Sequence, residues 1–292
     1  MQIADIIDNK SRVKPIKNKR RIKFGRVLLY AILIFTSALM LIPFAWMLSA
    51  SLKLDKDVFI FPIEWIPENP RWQNYVDIWN KIPLGIFVLN TAKLTVIITF
   101  LQLLTSSFAA YAFAKLDFKF KNPLFLAYVA TIAMPWQVYM VPQFMMMRFF
   151  GLNDTHLAII CLQAFSAFGV FLMRQFYQSI PDELCEAARI DGMSEYGIYA
   201  RIMLPLSKPA LSTLVIFTFV GVWNDFLGPQ IYLKTLNKKT IQIGLRMFIS
   251  QYSSEYGLIM AGSVLSVIPV LIVFLALQKY FIQGIASTGL KG

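Results

Sequence analysis

The chain has 292 residues, is 57% hydrophobic and only 15% charged, has a mean hydropathy of +0.59 and carries a net charge of +12. A water-soluble protein of this length carries about 25% charged residues, and no globular core could hide so much apolar surface. Cys161, in an apolar run, and Cys185, in a polar loop, supply neither a disulfide framework nor metal-ligand spacing.

Six apolar runs approach the roughly 20 residues that a membrane-crossing helix needs. In chain order they are Val27–Ala50, Ile86–Ala112, Leu124–Met147, Leu157–Met173, Ala210–Leu227 and Leu258–Leu277. The first is too long for a signal-peptide core and lacks a small-residue cleavage site, so it reads as a retained anchor. The fourth and fifth are short and need their flanks to reach across. The runs are continuously apolar rather than alternating with period two, which argues against a closed β-barrel. In hydrocarbon a single segment satisfies its own backbone only as a helix. The expected fold is an all-α polytopic membrane protein with six transmembrane helices, spanning 27–292 after a basic tail at 1–26.

Lys and Arg set the expected orientation. The tail carries nine, and Lys115, Lys119 and Lys121 follow in the second loop. With six spans, 18 fall on the side of the tail, the even loops and the C-terminus; nine fall on the other, and Lys93 lies inside a span. Both termini are therefore expected in the cytoplasm. Beside a spanning helix, a basic run is a topology signal rather than a nucleic-acid site. Of the outer loops, 51–85 carries Trp65, Trp72 and Trp79 with four prolines and should hug the lipid interface, and 232–257 is polar.

The loop at about 174–209 is the informative one. Pro181 suits a first helical turn, and Asp182 and Glu183 complement its dipole. A helix should run through Glu186, Ala187 and Ala188 to Asp191, stop at Gly192 in positive φ, and restart from a Ser194 cap, ending before Pro205. Alanine at 187 and 188 would let another protein approach closely.

Glu186-Ala187-Ala188, Gly192, and Ile202-x-Leu204-Pro205 stand at the spacing EAA-x(3)-G-x(9)-I-x-L-P. This resembles the signature of ABC importer permeases. The stretch from Met173 to Pro181, Trp223-Asn224-Asp225-Phe226-Leu227, and the segment from Gln278 to Gly284 are similar to the carbohydrate, maltose-permease-like branch. The C-terminal Lys291-Gly292 keeps part of that branch's ending, and the likeness covers about residues 25–292.

The resemblance implies the type I ABC importer fold in a bacterial inner membrane. It implies a second related permease, two cytoplasmic ATPase subunits that bind the ATP and magnesium, an extracytoplasmic solute-binding protein and surrounding lipid. Glu186 would be the charged contact to the ATPase cleft, Ala187 and Ala188 the close-packing surface and Gly192 the turn, with Asp191, Leu204 and Pro205 completing the coupling segment. The tail from Ser287 would reach the ATPase dimer. The chain itself has no GxxxxGK[ST] phosphate loop and no nucleophile–base arrangement, so it is not expected to be an enzyme. His156 reads as an interface residue.

Polar groups inside spans are candidates for the solute path. Asn90 and Lys93, one turn apart, are expected on one helix face, with Gln102 and Thr105 deeper. Lys93 either snorkels outward or meets an acidic or hydroxyl-rich solute. Trp136 and Tyr139 offer aromatic faces to a sugar, and Asn224 and Asp225 cap or gate the fifth span. Pro135 and Pro142, with Gln137 and Gln143, suggest a kinked third span. The expected cargo is a sugar or oligosaccharide; glycerol phosphate, a polyamine, or a stand-alone secondary transporter are the competing readings.

Overall fold

A computed structural model describes residues 24–249 and 255–289, with side chains over 25–249 and 255–282. All tail cations except Arg26, residues 250–254 of the second outer loop, and the side chains of the C-terminal segment therefore lie outside the described residues. By internal contacts the chain divides into two units, residues 1–46 and 47–292. The boundary falls inside the first helix, α1 (Phe24–Ser51), which carries Pro43.

The second unit is helical. A short α2 (Asn74–Lys81) precedes the 32-residue α3 (Leu84–Lys115). Then come α4 (Lys121–Ala130), α5 (Trp136–Phe149), α6 (His156–Gln163) and α7 (Ala167–Ser179). In the informative loop, α8 (Glu183–Ile190) is followed by α9 (Glu195–Ile198), which continues through a π-turn at Tyr199–Met203 to Leu206. The last elements are α10 (Lys208–Trp223), α11 (Leu227–Tyr232), α12 (Ile241–Arg246) and α13 (Tyr256–Gly289).

Among the described residues, four helices are long and apolar enough to cross a membrane: 25–51, 84–115, 156–179 and 256–282. The number is six if each of two bent pairs is one span. The expected third span is an elbow rather than a kink, its halves meeting at 100°. Pro135 is the cause: it disfavours helical backbone at Met134, which takes ψ 114°. The fourth span breaks at Ala164–Ser166, where Ser166 is extended and its Oγ accepts from the Gly169 amide (3.0 Å) to start α7 afresh.

The fifth span stops at Trp223, short of the expected Leu227. Asn224 donates its side-chain amide to the Val220 carbonyl (3.0 Å), and Asp225 Oδ1 accepts from the Gly228 amide (3.1 Å), opening α11. The helix of Ser194 also departs from expectation. It does not end before Pro205 but runs to Leu206, where a 77° bend leads into α10. The widened π-turn just before Pro205 changes the local hydrogen-bond register, so the proline's missing N–H does not end the helix there.

α3 is the spine of the unit. Its N-terminal end packs with α2, α12 and α13 through Ile78, Leu84, Phe87, Ile241 and Leu258. Its middle packs with α5, α6 and α11 through Leu94, Ile98, Met147, Ile159 and Tyr232. Its C-terminal end joins α7, α8 and α9 through Tyr111, Met173, Tyr177, Cys185, Ala188, Ile198 and Met203. α3 and α7 come close because Gly169 has no side chain; a Cβ there would sit 2.4 Å from Ser106 Oγ.

Candidate coupling loop and membrane cavity

The loop after α7 forms a helix–turn–helix knuckle. Gly192 has φ +78°, and the Met193 amide donates back to the Ala188 carbonyl (2.9 Å), closing the C-terminus of α8. Ser194 Oγ then accepts from the Gly197 amide (3.3 Å) to start α9. A Cβ at Gly192 would meet nothing within 4 Å, so the turn needs glycine for its backbone alone. Gly192→Val should therefore destabilise the knuckle by roughly 1–2 kcal/mol, read as a lower thermal midpoint of the purified protein.

The two alanines part company. Ala188 is buried with Cys185 beneath the helix, whereas Ala187 is exposed between Leu184 and Ile190. Successive residues of a helix are 100° apart, so the expectation that both alanines form one exposed surface is not met: only Ala187 is open, beside Leu184 and Ile190. Glu186 and Asp191 are exposed, Leu204 is half-buried and Pro205 is exposed. Asp182 does not cap α8; its carboxylate pairs with Lys115 Nζ (2.5 Å). Arg189 Nε bonds Glu195 Oε1 (2.7 Å), and Tyr111 donates to Glu195 Oε2 (2.5 Å).

A cavity of about 700 Å³ opens where the helix breaks converge. Of the six candidate solute-path residues, Trp136, Tyr139, Asn224 and Asp225 line it; Asn90 and Lys93 do not. Asn90 instead donates its amide to the Asn237 and Lys239 carbonyls (2.8 and 3.0 Å) in the loop before α12, and Lys93 is exposed. The wall is a chain of amides and hydroxyls. Gln102 Nε2 donates to the Gln163 carbonyl (2.8 Å), Thr218 donates to Gln102 Oε1 (2.9 Å), and Gln163 Nε2 donates to Asp225 Oδ2 (2.7 Å). Thr105 Oγ1 shares its one proton between the Leu101 carbonyl of its own helix (2.8 Å) and the Ala164 carbonyl (2.9 Å). Carbonyls freed by the α6–α7 break would be costly in hydrocarbon, and Gln102 and Thr105 satisfy them. Trp136 Nε1 donates to Gln143 Oε1 (2.8 Å), leaving the indole ring at the cavity wall.

Residues 102–287 match the family described as the inner membrane component of binding-protein-dependent transport systems. This chain belongs to that family. It is 38% identical over 203 residues to the arabinooligosaccharides transport system permease protein AraQ of Halalkalibacterium halodurans, covering 70% of this chain and 73% of that protein. To AraQ of Bacillus subtilis it is 33% identical over 91% of this chain and 96% of that protein. A crystal structure of a bacterial ABC transporter involved in the import of the acidic polysaccharide alginate superposes with a TM-score of 0.77 at 26% identity, covering 92% of this chain and 100% of the matched chain.

The family match begins at Gln102, the residue that ties α3 to the cavity wall. Sequence reasoning noted Gln102 and Thr105 only as polar positions and passed over Gln163, Thr218 and Ser166. The Ser166-x-x-Gly169 capping pattern was the available signal for the break that puts Gln163 at the cavity.

Between the loop before α6 and the loop after α11 this permease family member carries a clasp. Asp154, at φ +56°, accepts at Oδ1 from the Lys234 and Thr235 amides (2.8 and 3.1 Å) and at Oδ2 from the Thr235 hydroxyl (2.5 Å) and Lys238 Nζ (3.3 Å). His156 Nε2 meets the Lys238 carbonyl at 2.7 Å. Thr235, through its hydroxyl and then its amide, holds the Asp154 carboxyl well below the usual range; the Lys234 amide and Lys238 add to this against partial desolvation. A depressed folded-state value stabilises at pH above the unfolded value, near 4, and the gain is lost only as pH falls through the lower folded value. Asp154→Asn should therefore lower the thermal midpoint at pH 7, and the gap from the parent should narrow well below pH 4.

Proposed function

We propose that this chain is the membrane-spanning permease subunit of an ATP-driven importer for a sugar or oligosaccharide, with both termini in the cytoplasm. Its α8–Gly192–α9 knuckle docks in a separate ATPase subunit, which binds the ATP and magnesium. A second, related permease completes the membrane pathway, and an extracytoplasmic binding protein delivers the solute to the outer loops. The observation that carries the reading is the exposed Leu184–Ala187–Ile190 stripe on a short helix beside a glycine-locked turn. Such a surface suits a helix seated in a partner's groove.

For the solute, support comes from the cavity lining and from relatives whose names describe arabinooligosaccharide and lactose transport. Amides, hydroxyls and the faces of Trp136 and Tyr139 match a saccharide's hydroxyls and C–H faces. Among the described residues Asp225 is the charged group in that lining, which favours a neutral saccharide.

The test is reconstitution of the full complex in liposomes. Solute plus binding protein should stimulate ATP hydrolysis and drive uptake of neutral oligosaccharides. Uptake driven by an ion gradient with no ATPase present would overturn the reading.

A further inference from the structure

The C-terminal end of α3 is fastened to the coupling loop at three places, all from one stripe. Ser107, Tyr111 and Lys115 are spaced by four residues and so stand one above another on the helix. Ser107 Oγ and Tyr199 OH are 2.8 Å apart, which fixes the π-turn. Tyr111 OH donates to Glu195 Oε2 at the start of α9. Lys115 Nζ donates to the Ile180 carbonyl (2.6 Å) and to Asp182, at the entry to α8. The Lys115 side chain is only 3% exposed. A buried ammonium is costly unless its donors are taken, so these bonds are not casual surface pairs.

Arg189 extends the fastening to the coupling helix itself. It shares Glu195 with Tyr111 and reaches the Lys115 carbonyl (3.4 Å). The other end of the lever is Gln102, which holds the α6–α7 break and Thr218 at the cavity wall. From Lys115 to Gln102 is 13 residues, roughly 20 Å along a helix axis. Between them the helix is unbroken.

We propose that Ser107, Tyr111 and Lys115 are positioning residues that bolt the coupling loop to α3. A displacement of the loop then carries α3 as a rigid body, and Gln102 carries the cavity wall with it. This rests on the permease reading above. The two-ended attachment is what distinguishes a transmission element from mere packing: the same helix is side-chain-bonded both to the loop that meets the ATPase and to the lining that meets the solute.

The experiment uses the complete complex in proteoliposomes and reads solute imported per ATP hydrolysed, together with ATPase subunit retained on the purified complex. Tyr111→Phe with Lys115→Met should keep the ATPase bound and hydrolysing while import per ATP falls about tenfold, the scale of a coupling free energy between sites. Restoring the cation in Tyr111→Phe with Lys115→Arg should recover part of the ratio, because the guanidinium can serve both acceptors. An unchanged ratio in the double variant overturns the proposal. If that variant fails to assemble, Tyr111→Phe alone, which deletes one oxygen, decides it by the same ratio. A wild-type complex with no solute-dependent hydrolysis would count against the permease reading instead.

Discussion

Ala187→Arg should detach the ATPase from this subunit and cut import by about 100-fold, corresponding to roughly 3 kcal/mol. Ala187 lies between Leu184, 44% exposed, and Ile190, 86% exposed, on the open side of α8. A long cation there must either be buried unpaired in an apolar contact or hold the two surfaces apart. Ala188→Leu is the informative contrast. Ala188 is 6% exposed and packs inside the chain's own core. Extra carbons there overpack the knuckle, at a cost of about 1–3 kcal/mol. The first variant should lose co-purified ATPase at an unchanged thermal midpoint; the second should lose thermal stability. Wild-type ATPase retention by Ala187→Arg would refute the assignment of that face.

Gln102→Leu should nearly abolish uptake while leaving ATPase association intact. The substitution keeps much of the volume but leaves the Gln163 carbonyl and the Thr218 hydroxyl without partners. Each buried orphan costs about 1–3 kcal/mol. The α6–α7 break then loses one of its two cross-helix donors, Thr105 remaining. Gln102→Glu separates the two bonds, because a carboxylate still accepts from Thr218 but has no N–H for Gln163. Initial uptake rates should fall at least about tenfold for both, with the thermal midpoint of the leucine variant lower than that of the parent. Uptake at the parent rate in Gln102→Leu would remove the cavity wall from the solute path.

Hydropathy located the cores of the spans, because an apolar run of the right length has few alternatives in lipid. It did not locate the breaks, because Leu157–Met173 is equally apolar whether straight or interrupted at Ser166. Pro135 did signal its elbow, since a proline constrains the residue before it whatever surrounds it. The spacing from Glu186 to Pro205 marks the helix–turn–helix loop in the sequence, and Gly192 adopts the positive φ that its place in the pattern requires. The same pattern treats Ala187 and Ala188 alike, whereas the helix turns them 100° apart, one exposed and one buried. Asn90 and Lys93 were paired by helical spacing, but the partner that claims Asn90 comes from carbonyls about 150 residues later. No local rule reveals that contact.

The broken span between α6 and α7 also bears on how the chain enters its membrane. α6 has eight residues, about 12 Å of helix, well short of the roughly 30 Å hydrocarbon layer. It cannot insert alone, and the carbonyls exposed at its end need donors at the moment they leave water. Gln102 and Thr105 precede those carbonyls in the chain by 61 and 59 residues. In amino-to-carboxyl synthesis α3 emerges first, so both donors exist before their acceptors do. Thr218, which steadies Gln102, is made afterwards. The order of residues along the chain thus doubles as an order of assembly, with the long straight helix serving as the template on which the interrupted one is completed.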